Sequence, residues 1–124
     1  MAAYLDDKYQ DLSLQAIKDD NENLYILSAE PTEFADIATY KLGTKATPTI
    51  SNPQAGDVSG RKLIVSAITD GVVDAAGDAT WWCLADDSLS VLQVAQELTA
   101  LVAIVTGSPF TLDALDCEFP NPAA

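Results

Sequence analysis

Histidine is missing from the 124-residue sequence altogether, and basic residues are scarce. Without histidine there is no Ser-His-Asp or Cys-His nucleophile arrangement and no histidine metal site. Six Lys/Arg stand against nineteen Asp/Glu, for a net charge of −13. All six cations lie at or before Lys62, while the rest of the chain carries nine carboxylates. Nucleic acid binding needs cations to neutralise phosphates, so that partner is disfavoured. An anionic membrane surface is disfavoured for the same reason. Neither GxGxxG nor GxxxxGK[ST] occurs, so the usual phosphate-cradling loops are absent and no cofactor is expected.

Long hydrophobic runs are lacking too. The longest, "LTALVAIV" at 98–105, is too short to span a bilayer as a helix. The opening "MAAYLDDKYQDL" is acidic and has no apolar signal-peptide core. The product is therefore expected to stay in a cytoplasm, or to be assembled there into something larger. Only two cysteines occur, Cys83 and Cys117, and not in CxxC spacing. Each sits in an apolar run and reads as a buried thiol. A bridge between them would need Cβ atoms about 4 Å apart, and a reducing cytoplasm argues against one.

What is present describes one domain spanning 1–124, with 48% hydrophobic residues and no linker or internal repeat. Residues 3–18 read as an amphipathic helix. Leu5, Tyr9, Leu12 and Ala16 fall at i, i+4, i+7 and i+11, with Leu14 and Ile17 widening the stripe. Strand signals then dominate 24–119. "LYILSAE" runs up to Pro31, and "TEFADIATY" is ambiguous, with Thr32 a candidate cap for one helical turn. "YKLGTK" reads as a short strand. Residues 47–60, with Pro48, Pro53, Gly56 and Gly60, read as an exposed loop. "RKLIVSAIT" predicts one central strand, with Asp70-Gly71 supplying a tight turn after it. "ATWWCLAD" is another strand. Residues 91–105 read as two strands broken near Glu97–Thr99, and Leu115, Cys117 and Phe119 mark a half-exposed strand before a tail at 120–124. The expected fold is mainly β: an antiparallel β-sandwich or small barrel of about seven to eight short strands behind one N-terminal helix.

Carboxylate doublets occur at Asp6-Asp7, Asp19-Asp20 and Asp86-Asp87. Neighbouring strand residues point to opposite faces, so a doublet is not the opposed pair that glycoside hydrolysis needs. Asp86, Asp87, Asp113, Asp116 and Glu118 could gather as oxygen ligands for calcium, but no EF-hand spacing supports it, and no metal is expected. The chain therefore reads as non-enzymatic. Its tryptophans are strand neighbours, so one indole enters the core and the other faces a second layer or a partner. Trp82 is the candidate for the outward role. The other partner-contact candidates are Leu5, Tyr9 and Leu12 of the helix, Pro53 of the loop and Arg61 at the strand start. An outward Trp82 would also favour a homo-oligomer.

Three stretches, "LYILSAEPTEFADIATYKLGTK", "SGRKLIVSAITDGVV" and "GDATWWCLAD", resemble a group of small virion proteins of tailed bacteriophages. The resemblance runs from Leu24 to Asp86 and more loosely through the C-terminal strands. The chain departs from the pattern at Leu27, where the family tends to have cysteine, and at Trp82-Cys83. The resemblance implies a structural component of the particle, present in many copies and assembled in the host cytoplasm. The expectation is a capsid decoration or cement protein docking on the major capsid protein. A tail- or fibre-associated receptor-binding or adaptor module is the alternative.

Overall fold

A computed structural model describes residues 7–55 and 61–119. The chain begins with helix α1, Asp7–Asp20, followed by strand β1, Asn23–Leu27, and a short helix α2, Ala35–Tyr40. Eight more strands follow: β2 Lys41–Ala46, β3 Gln54–Ala55, β4 Arg61–Val65, β5 Ile68–Val73, β6 Gly77–Asp86, β7 Val91–Ile104, β8 Phe110–Leu112 and β9 Leu115–Phe119. Six of the nine described strands form an antiparallel sheet in the order β7-β6-β1-β2-β5-β8, curled into a half-barrel. The other three form a small sheet, β3-β4-β9. The expected mainly-β architecture with an N-terminal helix is what the chain adopts.

Period-two alternation explains the centre of the large sheet. In β1, Leu24 and Ile26 enter the main core, while Tyr25 and Leu27 point to the other face. In β6, Trp82 and Leu84 join the main core, and Trp81, Cys83 and Ala85 belong to the second cluster. The main core also takes Leu63, Val65 and Cys117 from the small sheet and Leu14 from α1. The second cluster is completed by Ile37 of α2, with Phe34 and Tyr40 packed against it. Both faces of β1 and β6 are therefore buried, which is why these strands read as continuous apolar runs.

The two indoles are reversed relative to the sequence expectation. Trp82 is 2% exposed and lies in the main core, so it is not an outward contact. Trp81 is the half-buried one, on the α2 side. Alternation says only that the pair diverges. Which side is deeper depends on what covers each face, and here the small sheet and α1 close over Trp82.

Other expectations are corrected in the same way. "RKLIVSAIT" is two strands, not one. β4 belongs to the small sheet and β5 to the large one, and the chain crosses between them at Ser66 and Ala67. Asp70-Gly71 is not a turn but lies inside β5, opposite Phe110 of β8. A Cβ on Gly71 would stand 2.2 Å from the Phe110 ring, so the glycine makes room for an aromatic side chain rather than for a bend. β7 runs unbroken, but residues 98–101 stand opposite the single residue Thr80, a wide bulge where a break was expected. The 47–60 loop is partly built into the small sheet, through the Ile50–Val65 bridge and β3. Cys83 and Cys117 are free buried thiols in different clusters, each pushed up to about 12 chiefly by burial.

Candidate docking surface

Helix α1 lies against β4. It lands on a different stripe from the one its spacing nominates. Gln10 and Leu14 are buried and Ile17 is half-buried, whereas Tyr9 and Leu12 are 55% and 57% exposed. Both stripes are apolar enough to pack, so periodicity alone does not choose. The anchors do. Arg61 Nε sits 2.6 Å from Asp11 Oδ1, and Lys18 Nζ donates to Asn52 Oδ1 at 2.6 Å. Asp11 and Lys18 are seven residues apart on one flank of the helix, so these contacts fix its rotation. Tyr9, Leu12 and Ala16, at i, i+3 and i+7, are left facing outward.

The opposite flank of α1 meets the turn between β6 and β7. Between them lies a groove of about 260 Å³. Ile17, Leu89, Val91 and Leu92 supply its apolar lining, and Asp20 and Asp86 its acidic part. Leu89 is 71% exposed at the tip of the turn. The exposed helix residues and this groove share Ala16, which makes one apolar track along α1 and onto the turn. Exposed apolar patches rimmed by polar groups are characteristic of protein contact sites.

The turn is fastened from several sides. The Ser88 backbone N–H donates to Glu22 Oε1 at 2.5 Å, and its hydroxyl to Glu22 Oε2 at 2.9 Å. The Leu89 N–H donates to Asp86 Oδ1 at 3.3 Å. Asp87 Oδ2 accepts from the Tyr25 hydroxyl at 2.8 Å and from the Asn23 amide. A bulge in β7 leaves Gln93 outside the regular register. Its amide donates to the Ile17 carbonyl near the end of α1 at 3.1 Å and accepts from Asn21 at 3.1 Å. Helix, first strand and turn are thus fastened to one another by these hydrogen bonds.

The electrostatics of this corner are one-sided. Asp20 and Asp86 line the groove, Glu22 is held to the turn by Ser88, and Asp19 and Asp87 are chain neighbours of the two lining aspartates. Burial pushes the Asp86 carboxyl above the usual aspartate range, and the negative charges of Glu22 and Asp20 push the same way. The backbone and hydroxyl hydrogen bonds from Ser88 hold Glu22 low. The chain's ion-paired cations are engaged elsewhere. Lys45 pairs with Asp70 at 3.1 Å and Lys62 with Asp116 at 3.2 Å. Lys41 lies over the Tyr25 ring and Lys8 over Tyr9. Arg61 and Lys18 hold the other flank of α1.

Of the contact residues expected from sequence, the structure brings Tyr9 and Leu12 to this surface. Trp82 is core, Arg61 is turned inward to Asp11, and Pro53 is half-buried just before β3. Leu5 lies outside the described residues. Leu89 and Val91 were missed. Their signal was present in "DDSLSV", where a leucine occupies a polar turn with no core to reach. The carboxylates grouped for calcium are dispersed. Asp86 and Asp87 sit at the β6–β7 turn, while Asp116 is paired with Lys62. Among the described residues no group of three or more Asp, Glu or Cys side chains is placed to hold a metal ion. No helix among them is long and apolar enough to cross a membrane. No family model, curated protein or solved structure matches the chain.

Proposed function

We propose that this chain is a non-enzymatic structural protein of a tailed-phage particle, a decoration or cement protein that docks on the major capsid protein lattice. The observation that carries the reading is the apolar track from Tyr9 through Leu12 to Leu89 and Val91, set on a fastened turn of a rigid β scaffold. The resemblance of the "LYILSAEPTEFADIATYKLGTK", "SGRKLIVSAITDGVV" and "GDATWWCLAD" stretches to small virion proteins supports it. A net charge of −13 keeps copies soluble and apart until a specific contact forms. On a lattice, many copies of one modest contact, or a homo-oligomer presenting several at once, gain strength through effective concentration.

The tail- or fibre-adaptor alternative uses the same surface, and location decides between the two. Trp81 gives a glycan-stacking role little support, since its indole packs against the buried cluster of Tyr25, Leu27, Ile37, Cys83 and Ala85. The test is a cryo-EM reconstruction of purified particles. Density for this fold at repeated lattice positions on the head is the expected result. Density confined to neck or tail would move the protein to the adaptor reading. Particles free of the chain by mass spectrometry would remove both.

A further inference from the structure

We infer that the groove between α1 and the β6–β7 turn receives a basic segment of a partner polypeptide, apolar side chains seated on Ile17, Leu89 and Val91 and Lys or Arg side chains reaching the carboxylates around them. The inference rests on the docking reading only in taking this surface as one that meets a protein; it does not depend on which particle, or which part of it, supplies that protein.

Two independent properties of the groove select this occupant. The first is its size and lining. At about 260 Å³ it lies below the roughly 300–1,000 Å³ of small-molecule pockets. Its apolar lining is continuous with exposed helix residues, so it suits the side chains of a chain lying across it rather than an enclosed ligand. The second is charge. Exposed Asp20 and buried Asp86 line the groove itself, exposed Asp19 adjoins Asp20 in the chain, and Glu22 is held to the turn by Ser88. Lys18, Lys45, Arg61 and Lys62 make their described contacts with Asn52, Asp70, Asp11 and Asp116, none of which lines the groove, and Lys41 and Lys8 lie over the Tyr25 and Tyr9 rings. A second copy of this acidic chain, or any other acidic partner, would add like charge to the rim. A basic segment removes that repulsion and gains attraction over a Debye length of about 8 Å at physiological salt.

The experiment titrates the full-length protein with synthetic peptides while amide chemical shifts and binding heats are recorded. The probe is a peptide alternating leucine and lysine. A serine–lysine peptide of the same charge and a leucine–glutamate peptide are compared with it. The leucine–lysine peptide is expected to bind with shifts concentrated at 16–22 and 86–93. The serine–lysine peptide should bind about tenfold more weakly, the loss expected when an apolar anchor is removed. Leu89→Ser combined with Val91→Ser should cost a similar factor. Asp19→Asn combined with Asp20→Asn should weaken binding several-fold and flatten its salt dependence, while Asp113→Asn leaves it unchanged. All five positions are exposed, so folding is expected to survive, and thermal melts verify it. Equal binding of the serine–lysine peptide, with shifts scattered over the carboxylates of the whole chain, would overturn the inference in favour of a merely acidic surface. Equal binding of the leucine–glutamate peptide would overturn the charge selection. Loss of peptide binding in a protein that still decorates particles would place docking on another surface and leave the virion reading standing.

Discussion

The β1–β6 pair and the α1–turn corner are built from similar residues and use them in opposite ways. In β1 and β6, apolar side chains are buried on both faces of the sheet, with Leu24, Ile26, Leu27, Cys83, Leu84 and Ala85 all sealed from solvent. In the corner, Tyr9, Leu12, Leu89 and Val91 stay in water, and the backbone that carries them is held by polar contacts instead. Fully burying one large apolar side chain is worth roughly 1.5–3 kcal/mol. A strand pair buried on both sides can therefore stabilise the fold while other apolar residues remain exposed. Exposure in the corner therefore does not come from a shortage of apolar material elsewhere in the fold.

The adjacent tryptophans test that comparison most severely. Trp82→Ala empties a site in the main core and is expected to cost about 3–5 kcal/mol. Trp81→Ala, on the half-buried α2 side, should cost less than half as much. Urea unfolding followed by far-ultraviolet circular dichroism measures both without relying on indole fluorescence. Equal losses would mean that the second face is as structural as the first.

Next in size is Gly71→Ala. The added methyl would lie 2.2 Å from Phe110, which must shift or force β5 away from β8. A loss of about 1–3 kcal/mol is expected, as for an overpacked core. Gly43→Ala meets the same ring at 2.8 Å and should cost less. The reverse order in unfolding midpoints would show that β2, not the β5–β8 pair, is the rigid side of Phe110.

The strands were legible because alternation and turn chemistry are local. Leu24 to Leu27 and Trp81 to Leu84 announce sheet residues whatever lies above them. What the residues do not announce is which cover is thicker. That depends on the small sheet and on six-residue α2, the segment whose pattern was ambiguous. Gly71 was misread because Asp-Gly is a turn signal in isolation, and the reason for the glycine is Phe110, thirty-nine positions away. The helix was legible as amphipathic but not in its rotation, since its buried and exposed stripes both carry apolar residues. The candidate surface was half legible for that reason. Tyr9 and Leu12 were on the page, but their meeting with Leu89 and Val91 required the fold.

A smaller effect probes what fixes that rotation. Asp11 and Arg61 form a pair in which the Asp11 side chain is 37% exposed. A double-mutant cycle with Asp11→Ala and Arg61→Ala should give a coupling of about 0.5–1 kcal/mol, in the range for partly exposed ion pairs. Salt at high concentration should shrink it. A coupling indistinguishable from zero would leave the buried stripe of Gln10, Leu14 and Ile17 as what sets the helix.

The smallest expected effect concerns the turn itself, where Glu22 and Asp86 are linked with opposite sign. The folded state raises the Asp86 carboxyl above its ordinary range, through burial and then the charges of Glu22 and Asp20. The folded protein therefore holds that proton more tightly than the unfolded chain. At neutral pH the ionised group opposes folding, and the opposition fades as pH falls through the raised value. Asp86→Asn keeps an oxygen for the Leu89 N–H and removes the charge, so Tm should rise at pH 7 and the gain should vanish in acid. Glu22 is held low by Ser88, and its contribution is present above the ordinary glutamate range and lost as pH falls through the lowered value. Glu22→Gln should therefore lower Tm at pH 7, with the loss closing toward low pH. Melts of the two variants across pH 3–7 should converge on the parent protein from opposite sides. If Asp86→Asn instead lowers Tm at pH 7, the Asp86 charge is holding the turn closed, and the corner is fastened by its carboxylates rather than in spite of their repulsion.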